Sequence, residues 1–265
     1  MNDDKSKVRL DKAMVDRGLT TSRERSRALI LSGEVLVNGI RVDKAGHLVK
    51  KEAAISIKGE ENPYVSRGGL KLKHALTRFQ IHVDGLIAID VGASTGGFSD
   101  CLLKEGAKKV YAIDVGYGQL AWKLRTDERV VVFERTNIRY FDGTCINEPI
   151  DIATIDVSFI SLRLVLPVVH SLMTKHSLLL ALVKPQFEAE RNEIGKGGVV
   201  KSSGVHARVV NEIVEISKET GFKVVGTCES PLLGPAGNKE FFIFAVKEGN
   251  FRNHNEKSVL AKQID

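Results

Sequence analysis

Cysteine is scarce in this 265-residue chain, with only Cys101, Cys145 and Cys228 present, none in a CxxC pair and none with histidines at metal spacing. That pattern excludes a disulfide framework and a thiolate metal site, and it points to reduced thiols in a cytoplasmic protein with no metal. Long hydrophobic runs are missing as well. Runs such as Leu178–Val183 fall far short of the ~20 residues that a membrane span needs. The opening stretch MNDDKSKVRLDK lacks an apolar core of signal-peptide length. Acidic excess is absent too: the net charge is +6, and it is unevenly spread. Residues 1–60 hold thirteen Lys/Arg against nine Asp/Glu, and residues 61–82 add Arg67, Lys71, Lys73 and Arg78 against Glu61 alone. The remainder is close to neutral, so the positive field belongs to the first third of the chain and suits a polyanion such as RNA.

In that first third, Val8, Leu10, Met14, Val15 and Leu19, with Gly18, predict a short helix closed by glycine. Thr21-Ser22-Arg23-Glu24 fits a capping box with Thr21 as N-cap, opening a second helix that carries Arg23, Arg25 and Arg27 and closes at Gly33. Val35–Val42 holds two alternating segments around Asn38-Gly39, the strongest short hairpin signal, and Ala54–Ile57 reads as another strand. An arginine-studded helix alone is most simply a solvated face. The order of features, however, resembles the alpha-L RNA-binding domain of small-subunit ribosomal protein S-four, pseudouridine synthases and tyrosyl-tRNA synthetases, over roughly residues 7–58. The resemblance implies a small α+β RNA-binding domain across residues 1–60. Its RNA contacts would be Arg9, Lys12, Ser22, Arg23, Arg27 and Asn38, with Arg67 added beyond the linker. Such residues meet phosphates and give affinity with little sequence readout.

Glu60-Glu61-Asn62-Pro63 is a polar break, so a linker is expected over 61–66, a large domain over 67–248 and a polar, disordered tail over 249–265. In the large domain, Ile87–Val91, Val110–Asp114, Ile152–Asp156, Leu178–Val183 and Phe241–Val246 are short apolar runs separated by amphipathic stretches. This rhythm predicts a Rossmann-like α/β domain with a mostly parallel, seven-stranded sheet covered on both faces. Ligands of such sheets bind beyond the carboxyl ends of the strands, where Asp90, Asp114, Asp156 and Lys184 fall.

The loop after the first of these strands reads Asp90-Val91-Gly92-Ala93-Ser94-Thr95-Gly96-Gly97-Phe98-Ser99. Its G-x-x-x-G-G spacing differs from the dinucleotide fingerprint, and an acid before the loop opposes a pyrophosphate. The cationic, phosphate-free methionine moiety of S-adenosylmethionine suits that acid better than NAD does, while Asp114 stands where it can bind ribose hydroxyls. Gly195-Lys196-Gly197-Gly198 lacks P-loop spacing and reads as a mobile loop. Polar candidates for chemistry are Lys71, Asp156, Lys184 and Glu240; spacing alone leaves Lys71 and Glu240 as structural residues, whereas Lys184 ends an apolar strand and precedes proline.

VSRGGLKL, DVGASTGGF, DVSFISL, LVKPQFE and GNKEFF, in this order, are similar to motifs of the TlyA (hemolysin A) family, whose catalytic domain is of the FtsJ ribose-methyltransferase type. The resemblance covers nearly the whole chain. It implies an S-adenosylmethionine-dependent enzyme that methylates cytidine 2′-hydroxyls of ribosomal RNA in one or both ribosomal subunits, with Lys71, Asp156, Lys184 and Glu240 as catalytic tetrad. It also implies a donor pocket lined by Asp90, Gly92, Ala93, Ser94, Thr95, Gly96, Gly97, Phe98, Asp114, Val115 and Asn137, with Asp156 at its border. Where some members carry Arg-x-Trp-Val between the domains, this chain has Lys58-Gly59-Glu60-Glu61. Two rival readings are a membrane-active hemolysin and an RNA-binding protein without activity.

Overall fold

The computed structural model describes residues 7–57 and 62–248. The expected tail and residues 58–61 lie outside that range. The chain divides into two compact units after Pro63, inside the stretch expected as a linker. Tyr64 is buried in the core of the larger unit, and Ser66 caps that unit's first helix. Among the described residues no helix is long and apolar enough to cross a membrane.

The smaller unit runs β1 (Lys7–Arg9), α1 (Leu10–Asp16), α2 (Arg23–Leu31), β2 (Val35–Val37), β3 (Ile40–Arg41), β4 (Leu48–Lys50) and β5 (Ile55–Ile57). β2 is central between β3 and β5, all antiparallel, and β1 pairs with β4 in a separate ribbon that the sequence pattern did not announce. Leu10, Ala13 and Met14 of α1 meet Leu29 and Ile30 of α2, with Val35 and Val49 closing the core. The cap of α2 is Ser22, not Thr21: its hydroxyl accepts from Arg25 N at 3.2 Å. The phase is set by which residues face inward, because Ser26, Leu29 and Ile30 must be buried and Ser26 meets the Thr20 hydroxyl at 2.6 Å. Asn38 and Gly39 both take positive φ, as the Asn-Gly turn requires.

The larger unit contains α3 (Arg67–Arg78), β6 (Ile87–Val91), α4 (Gly97–Lys104), β7 (Lys109–Ile113), α5 (Trp122–Arg125), β8 (Val130–Phe133), β9 (Ile150–Ile155), α6 (Leu162–Leu172), β10 (Met173–Val183), α7 (Pro185–Glu188), α8 (Ser203–Glu219), β11 (Phe222–Glu229) and β12 (Phe241–Lys247). The seven strands lie in the order β11-β12-β10-β9-β6-β7-β8. Six run in one direction, and β12 alone is reversed, antiparallel to both its neighbours. Side-chain alternation explains the continuous apolar runs. Phe242, Phe244 and Val246 enter the core shared with α3 and α4, while Ile243 and Ala245 enter the core shared with α6 and α8. Leu178, Leu180 and Leu182 divide from Leu179, Ala181 and Val183 in the same way. The chain winds outward from β6 to β8, then returns to β9 on the other side of β6. The carboxyl ends of β6 and β9 therefore flank the switch point where doubly wound sheets bind ligands.

Candidate active site

The loop leaving β6 is pressed against the exit of β9. Gly92 has φ +85°, and a Cβ there would stand 2.6 Å from the Asp156 carbonyl oxygen, so the position tolerates only glycine. Asp156 N donates to Val91 O at 2.9 Å, tying the two strand ends together. At the end of β7, the Asp114 carboxylate accepts from Ser94 N at 2.8 Å and from Gly116 N at 2.6 Å, thereby shaping both turns. Gly96, at φ +93°, ends the loop and α4 begins at Gly97.

These turns enclose a cleft of about 700 Å³. Gly92, Ser94, Asp114, Val115, Gln119, Asn137, Asp156, Ser158 and Phe159 are among its walls. Asn137 follows β8, and its side-chain oxygen accepts from Arg139 N at 3.1 Å. The cleft thus carries two carboxylates, two amides and one guanidinium, Arg139. That donor set suits a nucleoside bearing positive charge and opposes a pyrophosphate, and the volume falls within the range of small-ligand pockets. Among the described residues no group of three or more His, Cys, Asp or Glu is placed to hold a metal.

Other residues expected at the pocket lie elsewhere. Asp90 faces the interior, fully buried, with its oxygens taken by Ser99 Oγ at 2.7 Å and Thr154 Oγ1 at 3.0 Å. Burial pushes its carboxyl up to about 6, against the lowering effect of those hydroxyls. Phe98 stacks on Phe242 in the core, with ring centroids 6.0 Å apart, and Ala93 is buried in the same cluster. Thr95 O accepts from Ala121 N, and Gly97 abuts the Ser66 hydroxyl. This half of the loop builds the turn from beneath.

Lys71, Asp156, Lys184 and Glu240 come together as two ion pairs along the carboxyl edge of the sheet. Lys184, just past β10, places Nζ 2.6 Å from Asp156 Oδ1 and donates to Ser158 Oγ at 2.9 Å. Lys71, from the inner face of α3, donates to Glu240 Oε2 at 2.6 Å. Both lysines are only 8% exposed and Glu240 is completely buried, with Oε1 lacking a hydrogen-bond partner among the described residues. Val183 pairs with Phe241 across the antiparallel β10–β12 ladder, so one step further Lys184 stands beside Glu240. The reversed direction of β12 is what brings the start of that strand, and Glu240 with it, among the ends of the parallel ones.

Two features fall outside the residues expected from the sequence. Phe159 is 91% exposed at φ +63°, a strained conformation for an aromatic residue, and its ring lies 4.9 Å from that of Phe187. Glu188 accepts from Ser161 Oγ at 2.6 Å and Leu162 N at 2.8 Å, locking the segment after Lys184 to the loop after Asp156. An exposed aromatic within DVSFISL was the available signal for the first; the second depends on a contact between distant loops.

In the smaller unit, Arg9, Lys12, Arg23 and Arg27 are exposed, as is Arg67 at the start of α3. Ser22 serves as helix cap, and Asn38 is engaged by Ala54, whose N–H donates to the Asn38 side chain at 2.8 Å.

Comparison with known proteins matches residues 64–247 to the FtsJ-like methyltransferase family and residues 8–55 to the S4 domain. Bacillus subtilis YqxC is 50% identical over 238 residues, covering 89% of this chain and 85% of the relative. The Mycobacterium tuberculosis protein named 16S/23S rRNA (cytidine-2′-O)-methyltransferase TlyA is 41% identical over 260 residues, covering 98% of this chain and 95% of the relative. A solved Streptococcus thermophilus structure, described as a hemolysin, superposes with a TM-score of 0.74 at 42% identity, covering 97% of this chain and 96% of that one. With an S4 domain ahead of an FtsJ-like domain and nearly end-to-end similarity to such relatives, the chain belongs to the TlyA (hemolysin A) family of FtsJ-like methyltransferases.

Proposed function

We propose that this protein methylates cytidine ribose 2′-hydroxyls of ribosomal RNA, using S-adenosylmethionine held in the cleft between the ends of β6, β7 and β9. The observation that carries the reading is the pair of buried lysine–carboxylate contacts at the carboxyl edge of the sheet, where Asp156 of one pair borders that cleft. Asp114 and Asn137 would hold the nucleoside part of the donor, with Val115 on its exposed flank and Gly92 and Ser94 contributing backbone at close range. When bound, S-adenosylmethionine supplies an electrophilic methyl group.

The chain's own work is to place a hydroxyl and take its proton. Lys184, as the neutral amine, is the group we assign to receive that proton. Asp156 orients it from 2.6 Å and borders the donor cleft. Lys71 and Glu240 form the neighbouring wall, with Lys71 oriented toward the ribose by its partner. Alignment of two reactants supplies much of the rate in such a transfer, and a positioned base adds roughly 10²–10⁴-fold. Phe159 offers an exposed aromatic face to a base lifted out of its stack. Arg9, Lys12, Arg23 and Arg27 would meet RNA phosphates from the S4 domain, with Arg67 adding charge at the start of α3.

The test offers radiolabelled S-adenosylmethionine to ribosomal subunits lacking the modification, with wild-type protein and Lys184→Ala. Label should enter ribose with the wild type and fall by at least about a hundredfold with the variant. Transfer to neither subunit by the wild type would overturn the proposal.

A further inference from the structure

Asp11, in the first turn of α1, is completely buried and gathers three arginines. Arg9 reaches it with Nε and Nη2, each at 3.0 Å; Arg23 Nη2 lies at 3.0 Å and Arg27 Nε at 3.4 Å. Oδ1 also accepts the Lys12 N–H at 2.9 Å. Arg9 alone satisfies the carboxylate in the bidentate geometry that suits it. Two further guanidiniums at one carboxylate repel one another and leave the group with two net positive charges. All three arginine side chains remain about half exposed, at 45%, 50% and 54%. Arg27 approaches through Nε, so Asp11 does not engage its two terminal nitrogens. Arg23 and Arg27 sit one turn apart on the same face of α2, while Arg9 comes from the end of β1.

A cluster with surplus cationic forks, held from beneath by a buried anion, is complete only when a second anion covers it from outside. We propose that Asp11 is a positioning residue that fixes Arg9, Arg23 and Arg27 as a rigid three-guanidinium receptor for phosphates of the RNA backbone. Planar guanidinium forks match phosphate oxygens, and anchoring them removes the rotamer entropy that free arginines lose on binding. The inference rests on the reading of the chain as an RNA methyltransferase, and it adds to that reading a residue that never touches the RNA.

Asp11→Asn in the full-length protein opposes two expectations. The substitution adds one positive charge, so simple attraction to a polyanion predicts tighter binding. Loss of the anchor predicts weaker binding, by about tenfold, with the slope of log Kd against log salt shallower by about one phosphate contact. Binding is measured to purified ribosomal subunits lacking the modification, with folding checked by circular dichroism and thermal unfolding. If Asp11→Asn does not fold, the double variant Arg23→Lys, Arg27→Lys decides. It keeps the charge and loses the forks, and should also weaken binding about tenfold at unchanged melting temperature. Folded Asp11→Asn that binds as tightly as the wild type or tighter overturns the proposal, and so does unchanged affinity of the double lysine variant. Wild-type protein that neither binds nor methylates the subunits instead overturns the RNA-methyltransferase reading.

Discussion

Replacing Lys71 by methionine should reveal how much of the fold's stability is tied up in the proposed active site. The wild-type Glu240 carboxylate is completely buried; Oε2 has its ion pair with Lys71, and Oε1 has no hydrogen-bond partner among the described residues. Lys71→Met therefore leaves a buried carboxylate with neither oxygen paired, a situation that costs about 3–5 kcal/mol. For a unit of this size, each kcal/mol lowers Tm by about 2–4 °C, so a fall of roughly 6–20 °C is expected. Glu240→Gln should cost less, about 1–3 kcal/mol, because the amide oxygen can still accept from Lys71. The double variant removes both charges and should recover at least about 2 kcal/mol relative to the sum of the single effects, since neighbours in one contact are not additive. Methyl transfer should be lost in all three. Urea unfolding followed by far-ultraviolet circular dichroism is the assay of choice, because the single tryptophan, Trp122, is 75% exposed and reports poorly on the core. Lys71→Met within about 0.5 kcal/mol of wild type, or strictly additive single effects, would refute the reasoning that this pair is buried and mutually dependent.

Asp90 should give the protein a pH-dependent weakness. Its carboxyl is pushed up from the usual 3.8 to about 6, so between these values the folded state holds a proton that the unfolded state has released, and stability falls as pH rises through that window. The accumulated cost at pH 7 is about 3 kcal/mol, so the stability of Asp90→Asn relative to wild type should improve by up to that amount between pH 4 and pH 7 in urea titrations. An offset that is the same at both pH values would show that Asp90 is not perturbed by burial. Phe159→Ala should raise KM for ribosomal subunits about tenfold, in line with the ~1–3 kcal/mol of base stacking on an aromatic ring, while leaving affinity for S-adenosylmethionine within about twofold by calorimetry. Equal losses for both ligands would instead place Phe159 in the donor pocket.

The strand ends were the most readable part of this molecule. Apolar runs that stop abruptly at Asp114, Asp156 and Lys184 announce both the sheet and the edge at which ligands bind, because burial on both faces leaves polar residues only where a strand emerges. What a run cannot tell is which way its last residue points. Asp90 follows the same pattern as its neighbours, yet it lies within β6 and turns into the interior toward Ser99 and Thr154. Edge strands escaped notice for a related reason: after Phe222, β11 alternates between exposed and half-buried positions, and β8 is only half-buried, so neither reads as a solid apolar run. The Lys71–Glu240 contact spans 169 residues and depends on β12 entering the sheet in reverse, which no local pattern encodes. The Asn38-Gly39 turn, by contrast, follows from two adjacent residues and needs nothing distant.

That reversed strand also sets a timetable for synthesis. The S4 unit has all its partners once residue 57 has left the ribosome, whereas Lys71 waits for Glu240 until nearly the whole catalytic unit has been made. At the usual ~5–20 residues per second, the interval is roughly 10–40 s. Throughout it, the nascent chain displays a finished RNA-binding domain ahead of a sheet whose β12 gap, between β10 and β11, is still open. The S4 domain is thus finished well before the methyltransferase domain, and completion of the sheet and completion of the proposed catalytic tetrad are one event.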